Sequence, residues 1–275
     1  MREILTAVNI DKTFEDKKVL ENINVCLGEG ELVSILGVSG VGKTTLFNIL
    51  SGLTKPDMGS VSLYGDISYN PDNFSPKDIK ENDDAYEMST ESEKTDITGQ
   101  TGYLSYMLQK DMLLPHKTVI DNVALPLILG GVSKKEARTR AREHFARFGL
   151  EGTEKKYPNQ LSGGMRQRAA FLRTYLCGKK VMLLDEPFSA LDALTRKSIY
   201  EWYLEVMGNA GLSTLLITHD VDEAILLSDR IYIMKGCPAS IGGEIVIKTD
   251  KQRNHAFTLT EQFLEYKREI EALLI

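Results

Sequence analysis

Apolar and polar positions follow two distinct rhythms along this chain of 275 residues. Four short apolar runs, ELVSIL at 31–36, KVMLL at 180–184, STLLIT at 213–218 and RIYIM at 230–234, predict strands buried on both faces, being too short for buried helices. Longer stretches near 43–50, 133–148, 164–177, 194–207 and 221–228 read as amphipathic helices. Their alternation with the strands predicts an α/β domain with a largely parallel sheet. From about 104 to 178 the signal is nearly all helical, which predicts a helical subdomain inserted between the first strands and the later ones. From about 257 onward, Leu259, Phe263, Tyr266, Ile270, Leu273 and Leu274 fall at helical spacing and predict a closing helix packed by one face. The richest apolar stretch, 123–132, is broken by Pro126, Gly130 and Gly131 and falls short of the ~18 residues that cross a bilayer.

One segment breaks the pattern. Residues 67–98 are rich in Asp, Glu, Ser, Asn and Lys and poor in branched aliphatics, so they predict a mobile surface loop or a docking element. The charge lies there too. The whole chain carries −6, yet residues 66–96 hold ten acidic and three basic side chains, leaving the remainder near neutral. That balance gives no phosphate-backbone footprint and argues against a generally basic nucleic-acid binder, though not against a local basic patch. With 42% hydrophobic and 26% charged residues, the chain matches a soluble globular protein of one large domain, or one domain with a subdomain. Cys26, Cys177 and Cys237 are odd in number and far apart, matching neither a disulfide framework nor a zinc spacing, and point to a reducing cytosol. The start, MREILTAVNIDKTF, does not read as a signal peptide.

Candidate chemistry sits at the joints between these elements. Gly37-Val38-Ser39-Gly40-Val41-Gly42-Lys43-Thr44-Thr45 follows a predicted strand and opens a predicted helix. Its glycines permit backbone conformations and approaches that a Cβ obstructs, so successive N–H groups and the positive helix end cradle polyphosphate oxygens. Lys43 is placed to neutralise β and γ phosphates and the Thr44 hydroxyl to ligate magnesium. A phosphate cradle alone serves a kinase, a GTPase or an ATPase. VMLLDEP at 181–187 ends an apolar run in two carboxylates at the carboxyl end of a strand, where open α/β sheets bind ligands. Asp185 would hold magnesium and Glu186 would polarise or deprotonate the attacking water. His219 follows another such strand, in reach of a γ-phosphate, and the Gln109 amide could report on magnesium and water; taken alone, each is as readily structural or a surface residue. In Leu161-Ser162-Gly163-Gly164-Met165-Arg166-Gln167-Arg168, Ser162 is a good N-cap and the two glycines leave amides bare at a helix start, a second anion site. One nucleotide does not need two cradles in one chain. The count points to two chains facing head to tail across two nucleotides.

In this order, GVSGVGKTT, Gln109, LSGGMRQR, LLDEP, SALD at 189–192 and His219, the chain from about residue 4 to 235 resembles the nucleotide-binding subunit of ATP-binding cassette (ABC) transporters. The resemblance implies a P-loop NTPase (RecA-like) core with a mainly parallel sheet, an N-terminal antiparallel β region and an inserted helical subdomain. It implies Mg2+ and ATP held by Gly37, Ser39, Gly40, Gly42, Lys43, Thr44 and Thr45, with Thr44, Gln109 and Asp185 around the metal. Ser162, Gly163 and Gly164 would grip the opposite subunit's γ-phosphate and Asp192 would lie at the dimer seam. Glu186 and His219 would serve hydrolysis, and Gln109 would be the lever between ATP and the membrane partner. Phe14 stands where an aromatic ring, more often Tyr, stacks on adenine.

The phrasing of 105–123, 185–196 and 217–234 is similar to the nitrate, sulfonate and taurine type of import ATPase; the stretch from 67 to about 94 departs from it. The implied partners are a second copy or a homologous subunit, integral membrane permease subunits and, indirectly, an extracytoplasmic solute-binding protein, with no nucleic acid. The implied location is cytoplasmic, peripheral on the inner face of the plasma membrane. Around Gln109, the residues Met107, Met112, Leu113, Leu114 and Pro115 offer a socket for a membrane partner's helix, or else pack the helical subdomain. Two rivals remain at this level: a soluble non-transport ABC ATPase, and a regulatory module that holds ATP without turning it over.

Overall fold

The computed structural model describes residues 2–65, 94–208, 211–249 and 253–274. The chain opens as an antiparallel hairpin of two long strands, β1 (Glu3–Phe14) and β2 (Lys17–Gly28). Glu15 and Asp16 connect them with φ of 45° and 66°, the doubly left-handed turn that matches the twist of paired strands. β4 (Met58–Tyr64) pairs antiparallel with the other edge of β1, and β5 (Lys94–Asp96) with β4, giving a sheet ordered β2-β1-β4-β5.

The second sheet holds β3 (Leu32–Leu36), β6 (Ser105–Met107), β7 (Val181–Asp185), β8 (Ser213–Thr218), β9 (Arg230–Lys235) and β10 (Ser240–Val246), ordered β10-β9-β3-β8-β7-β6. Every pairing among β9, β3, β8, β7 and β6 is parallel, and β10 alone runs antiparallel at the edge beside β9. All five residues of β7 and all six of β8 are buried, as continuous apolar runs in a sheet covered on both faces require. The α/β core with a mainly parallel sheet and an antiparallel N-terminal region is therefore present.

Each face of this sheet has its own apolar cluster. One lies against the N-terminal sheet and α1 (Lys43–Leu50), centred on Leu5, Ile10, Leu20, Phe47, Leu183 and Ile217. The other collects Phe145, Phe148, Phe171, Phe188 and Tyr203 from the helical side. Burying such a side chain contributes ~1.5–3 kcal/mol, so the two clusters fix the sheet between them.

Between β6 and β7 the described elements are helices: α2 (Val119–Val123), α3 (Leu125–Leu129), α4 (Lys134–Glu143) and α5 (Gly163–Tyr175). Ser133 caps α4 by accepting from the Glu136 amide, with Glu136 in the first turn and Arg140 and Arg142 in the last, complementing the helix dipole. α6 (Ala193–Gly208) and α7 (Val221–Leu227) follow β7 and β8.

The closing helix α8 (Glu261–Leu274) buries Phe263 and Ile270, with Tyr266, Leu273 and Leu274 packed against the same cluster. Leu259 does not join that face: it ends a 3-10 turn before the helix and is 77% exposed. Most of the acidic segment at 67–98 lies outside the described residues, but its last five residues are docked on the N-terminal sheet, the first three of them as a strand. β5 pairs there with β4, Thr98 Oγ1 accepts from the Val61 amide at 2.8 Å, and Ile97 is fully buried. Ile97 is the apolar residue that docks this end of the segment onto the N-terminal sheet.

Candidate functional site

The loop from Gly37 to Gly42 turns β3 into α1. Gly42 takes φ 118° as the residue before the helix and Gly40 takes φ 81°, conformations that L side chains rarely adopt. A Cβ on Gly37 would lie 2.5 Å from the Met234 carbonyl oxygen, so the loop has no room there either. Ser39 and Gly40 are exposed, Thr45 half-buried, and Lys43 is buried beneath the loop. Lys43 Nζ donates to the carbonyls of Gly37 (2.6 Å) and Val38 (3.0 Å) and lies 3.9 Å from Glu186 Oε1. Burial pulls the Lys43 ammonium below its ordinary value, with Glu186 and Asp185 opposing.

The two acidic residues at the end of β7 face this loop differently. Asp185 Oδ2 accepts from Thr44 Oγ1 at 3.0 Å, and burial raises its carboxyl above the usual range despite that bond. Glu186, at φ 44°, turns away from the strand while its amide donates to the Ile217 carbonyl. A left-handed φ on a residue other than glycine stores roughly 1–3 kcal/mol of strain, which is kept only where the surroundings impose it. Here it brings Glu186 into a ring of donors: Gln109 Nε2 at 3.1 Å, His219 Nδ1 at 3.2 Å and Lys43 Nζ at 3.9 Å. The structure thus brings Lys43, Thr44, Gln109, Asp185, Glu186 and His219 together from α1 and the ends of β6, β7 and β8.

Ser162, Gly163, Gly164 and Asp192 form a second group. Ser162 caps α5 by accepting from the Met165 amide at 3.3 Å. A Cβ on Gly163 would touch Leu191, and one on Gly164 would lie 2.9 Å from Thr195 Cγ2. Thr195 is held in turn by Asp192, whose carboxylate accepts from its amide at 3.0 Å and its hydroxyl at 2.6 Å. Phe14 lies apart from both groups, 47% exposed at the end of β1, with Lys12 Nζ 5.2 Å from its ring centroid.

A glycine-rich loop opening a helix, a second glycine-bearing helix start, a carboxylate pair at a strand end and a histidine occur here in that order, and the ABC transporter family pattern matches residues 20–189. Over the full length of this chain, 37% of residues are identical to a formylaminopyrimidine import ATP-binding protein of Halalkalibacterium halodurans, 98% of which is covered. The chain belongs to the ABC transporter family. Another member, a nitrate import ATP-binding protein of Synechocystis, is 32% identical over 98% of this chain and 94% of its own length. A dimeric bacterial ABC transporter cassette of known structure is 30% identical, with a TM-score of 0.67 over 90% of this chain and all of its own. The same cassette in a post-hydrolysis dimer with ADP and phosphate matches with the same TM-score at 28% identity. This cassette binds ATP and hydrolyses it.

Three contacts were not legible beforehand. Tyr106 places its hydroxyl 3.5 Å from Asp185 Oδ2 and 3.3 Å from Asn48 Oδ1, and burial raises it. Asp57 accepts from the Thr13 amide and from Lys12 Nζ, fixing the strand end that carries Phe14. Arg173 on α5 reaches the carbonyls of Asp111 and Met112. Tyr106 follows the alternation of β6, but Asp57 and Arg173 carry no positional signal at all. The apolar residues around Gln109 divide: Met107 and Leu113 are buried in the helical-side cluster, whereas Met112, at 55% exposure, Leu108 and Pro115 face outward.

Proposed function

We propose that this cassette powers uptake of a small solute, in the class of nitrate, sulfonate or taurine, through separate membrane subunits. Two copies close head to tail on two ATP molecules, and hydrolysis reopens them. The observation that carries the reading is the Glu186 carboxylate, ringed by Gln109, His219 and Lys43 at 3.1–3.9 Å. Such a carboxylate can accept a proton from water while the neighbouring donors hold it and the γ-phosphate in place. Lys43, now bonded to its own loop carbonyls, exchanges them for phosphate oxygens, and the negative charge that arrives offsets the cost of its burial.

Magnesium fits the donor set: Thr44 Oγ1 and Asp185 Oδ2 are hard oxygen atoms that already converge, with the Gln109 amide on the same side. Bound there, the ion would neutralise phosphate charge. Phe14 offers its exposed ring to adenine. Ser162 and the bare amides of Gly163 and Gly164 grip the γ-phosphate of the ATP held by the second copy, and Asp192 lies at the seam. Nucleotide favours the closed pair because each ATP touches both chains.

The curated relatives named above are import subunits, which favours transport over a soluble role. No helix among the described residues is long and apolar enough to cross a membrane, so attachment falls to permease subunits at the inner face, with a solute-binding protein acting through them. The outward residues Leu108, Met112 and Pro115 beside Gln109 are the candidate contact for a permease helix.

Phosphate release by Glu186→Gln tests the reading. Loss of a general base lowers turnover by roughly 10²–10⁴-fold, with ATP binding retained. Turnover near the parent's removes Glu186 from the role.

A further inference from the structure

Gln109 leaves β6 on a short exposed loop, yet it must meet Glu186 at hydrogen-bond distance. Something has to fix the chain just beyond it. Two residues on, the backbone is gripped by α5. Arg173 donates from one guanidinium nitrogen to the Met112 carbonyl at 2.8 Å and from the other to the Asp111 carbonyl at 2.6 Å. Arg166, two turns earlier on the same helix, places Nε 3.3 Å from Asp111 Oδ2 and donates to the Leu161 carbonyl at 3.0 Å. The other Asp111 oxygen accepts from the Leu113 amide at 3.1 Å.

Between these bonds Met112 is held at φ 46° with its side chain exposed. A strained backbone at an exposed methionine persists only because its surroundings over-determine it, and here the forked guanidinium is the group that does so. The helix also reaches the segment that follows β7, where Gln167 Nε2 donates to the carbonyl of Pro187, the residue after Glu186. The helix headed by Ser162 is therefore bonded both to the segment that delivers Gln109 and to the segment that delivers Glu186.

We infer that Arg173, assisted by Arg166, is a positioning residue: it locks the segment after Gln109 to α5, so that Gln109 and the Ser162 helix start move as one body. The consequence is a link between half-sites. Ser162 faces the ATP of the second copy and Gln109 the chain's own, so a shift of α5 on closure sets the distance from Gln109 to Glu186. This inference rests on the roles proposed above for Gln109 and Glu186.

A double-mutant cycle on ATP turnover by the full chain separates the two ideas. Arg173→Met is expected to lower kcat roughly tenfold to a hundredfold, the scale of a misplaced catalytic group, and to leave the KM for ATP unchanged. Arg173→Lys, which keeps the charge without the fork, falls between Met and parent. In a Gln109→Ala background Arg173→Met adds no further loss, because the group it positions is gone. Hydrogen exchange at 108–114 rises in Arg173→Met and not in Gln109→Ala. Should Arg173→Met fail to fold, Asp111→Asn, which releases Arg166 at a half-buried position, is run through the same cycle with a smaller loss of the same kind expected. Multiplying losses with Gln109→Ala slow, or parental kcat in the Arg173 or Asp111 variants, overturns the inference alone. Parental turnover in Gln109→Ala overturns the proposed role of Gln109 and the inference with it.

Discussion

Thr44 and Asp185 lie 141 positions apart, and the hydroxyl of the first donates to the carboxylate of the second at 3.0 Å. The bond joins the start of α1 to the end of β7 and sets the two oxygens proposed for magnesium. It also restrains a carboxylate that burial would otherwise drive toward its neutral form. Thr44→Val keeps the shape and removes the oxygen. The magnesium concentration that half-saturates turnover should rise about tenfold or more, the scale on which even indirect supports of a metal act. Metal-free nucleotide binding, followed by fluorescence, should stay near the parent's. An unchanged magnesium dependence would remove Thr44 from the metal site.

Gly164 is expected to tolerate no side chain. An added methyl would sit 2.9 Å from Thr195 Cγ2, and Thr195 cannot rotate away without losing its bonds to Asp192. Overpacking of this kind costs about 1–3 kcal/mol, to be read from thermal or denaturant unfolding of Gly164→Ala. The variant should still bind ATP through its own Lys43 loop while turnover falls, if Gly164 serves the other copy's nucleotide as proposed. Loss of ATP binding by the isolated variant would contradict that division of labour.

Glu223 on α7 is buried against α6, where Tyr200 donates to its carboxylate at 2.7 Å. Burial, as the main cause, pushes the carboxyl up to about 7; Asp220 adds to the rise, while Tyr200, Thr218 and Arg196 oppose it. Native protein thus keeps a proton that the unfolded chain releases near pH 4.3, so between these values the native state binds more protons. The associated stability is present below the unfolded value and is lost as pH rises through about 7. Glu223→Gln keeps an acceptor for Tyr200 and does not titrate. Its stability relative to the parent should climb between pH 5 and 8 by on the order of 3 kcal/mol. A difference that stays flat across that range would contradict the assignment.

Much of this fold was readable because its signals are contiguous. β7 and β8 are unbroken apolar runs, and the Lys43 loop, Asp185, Glu186 and Ser162 each occupy a fixed place at a strand end or helix start. What escaped depends on contacts between distant positions. Leu259 keeps helical spacing with Phe263 yet lies before the helix begins, because Thr260 accepts from the Phe263 amide and starts α8 there. Met107 and Leu113 look as exposed in sequence as Met112, and only the packing of α5 against β6 and α2 separates them. Ile97 closes an acidic stretch whose composition gives no sign that this residue is buried in the N-terminal cluster. Arg173 is one arginine on a helix that carries several, and nothing in its spacing reveals the two carbonyls it reaches.

The central claim is that ATP is held jointly by Lys43 of one copy and Ser162 of another. Light scattering on Glu186→Gln with and without ATP tests it most directly, because slowed hydrolysis preserves the closed state. The account predicts a monomer without nucleotide and a dimer with ATP, reverting to monomer when Ser162→Arg is added while each chain still binds ATP. A protein that binds ATP and stays monomeric at every concentration, or a dimer indifferent to Ser162, would contradict it.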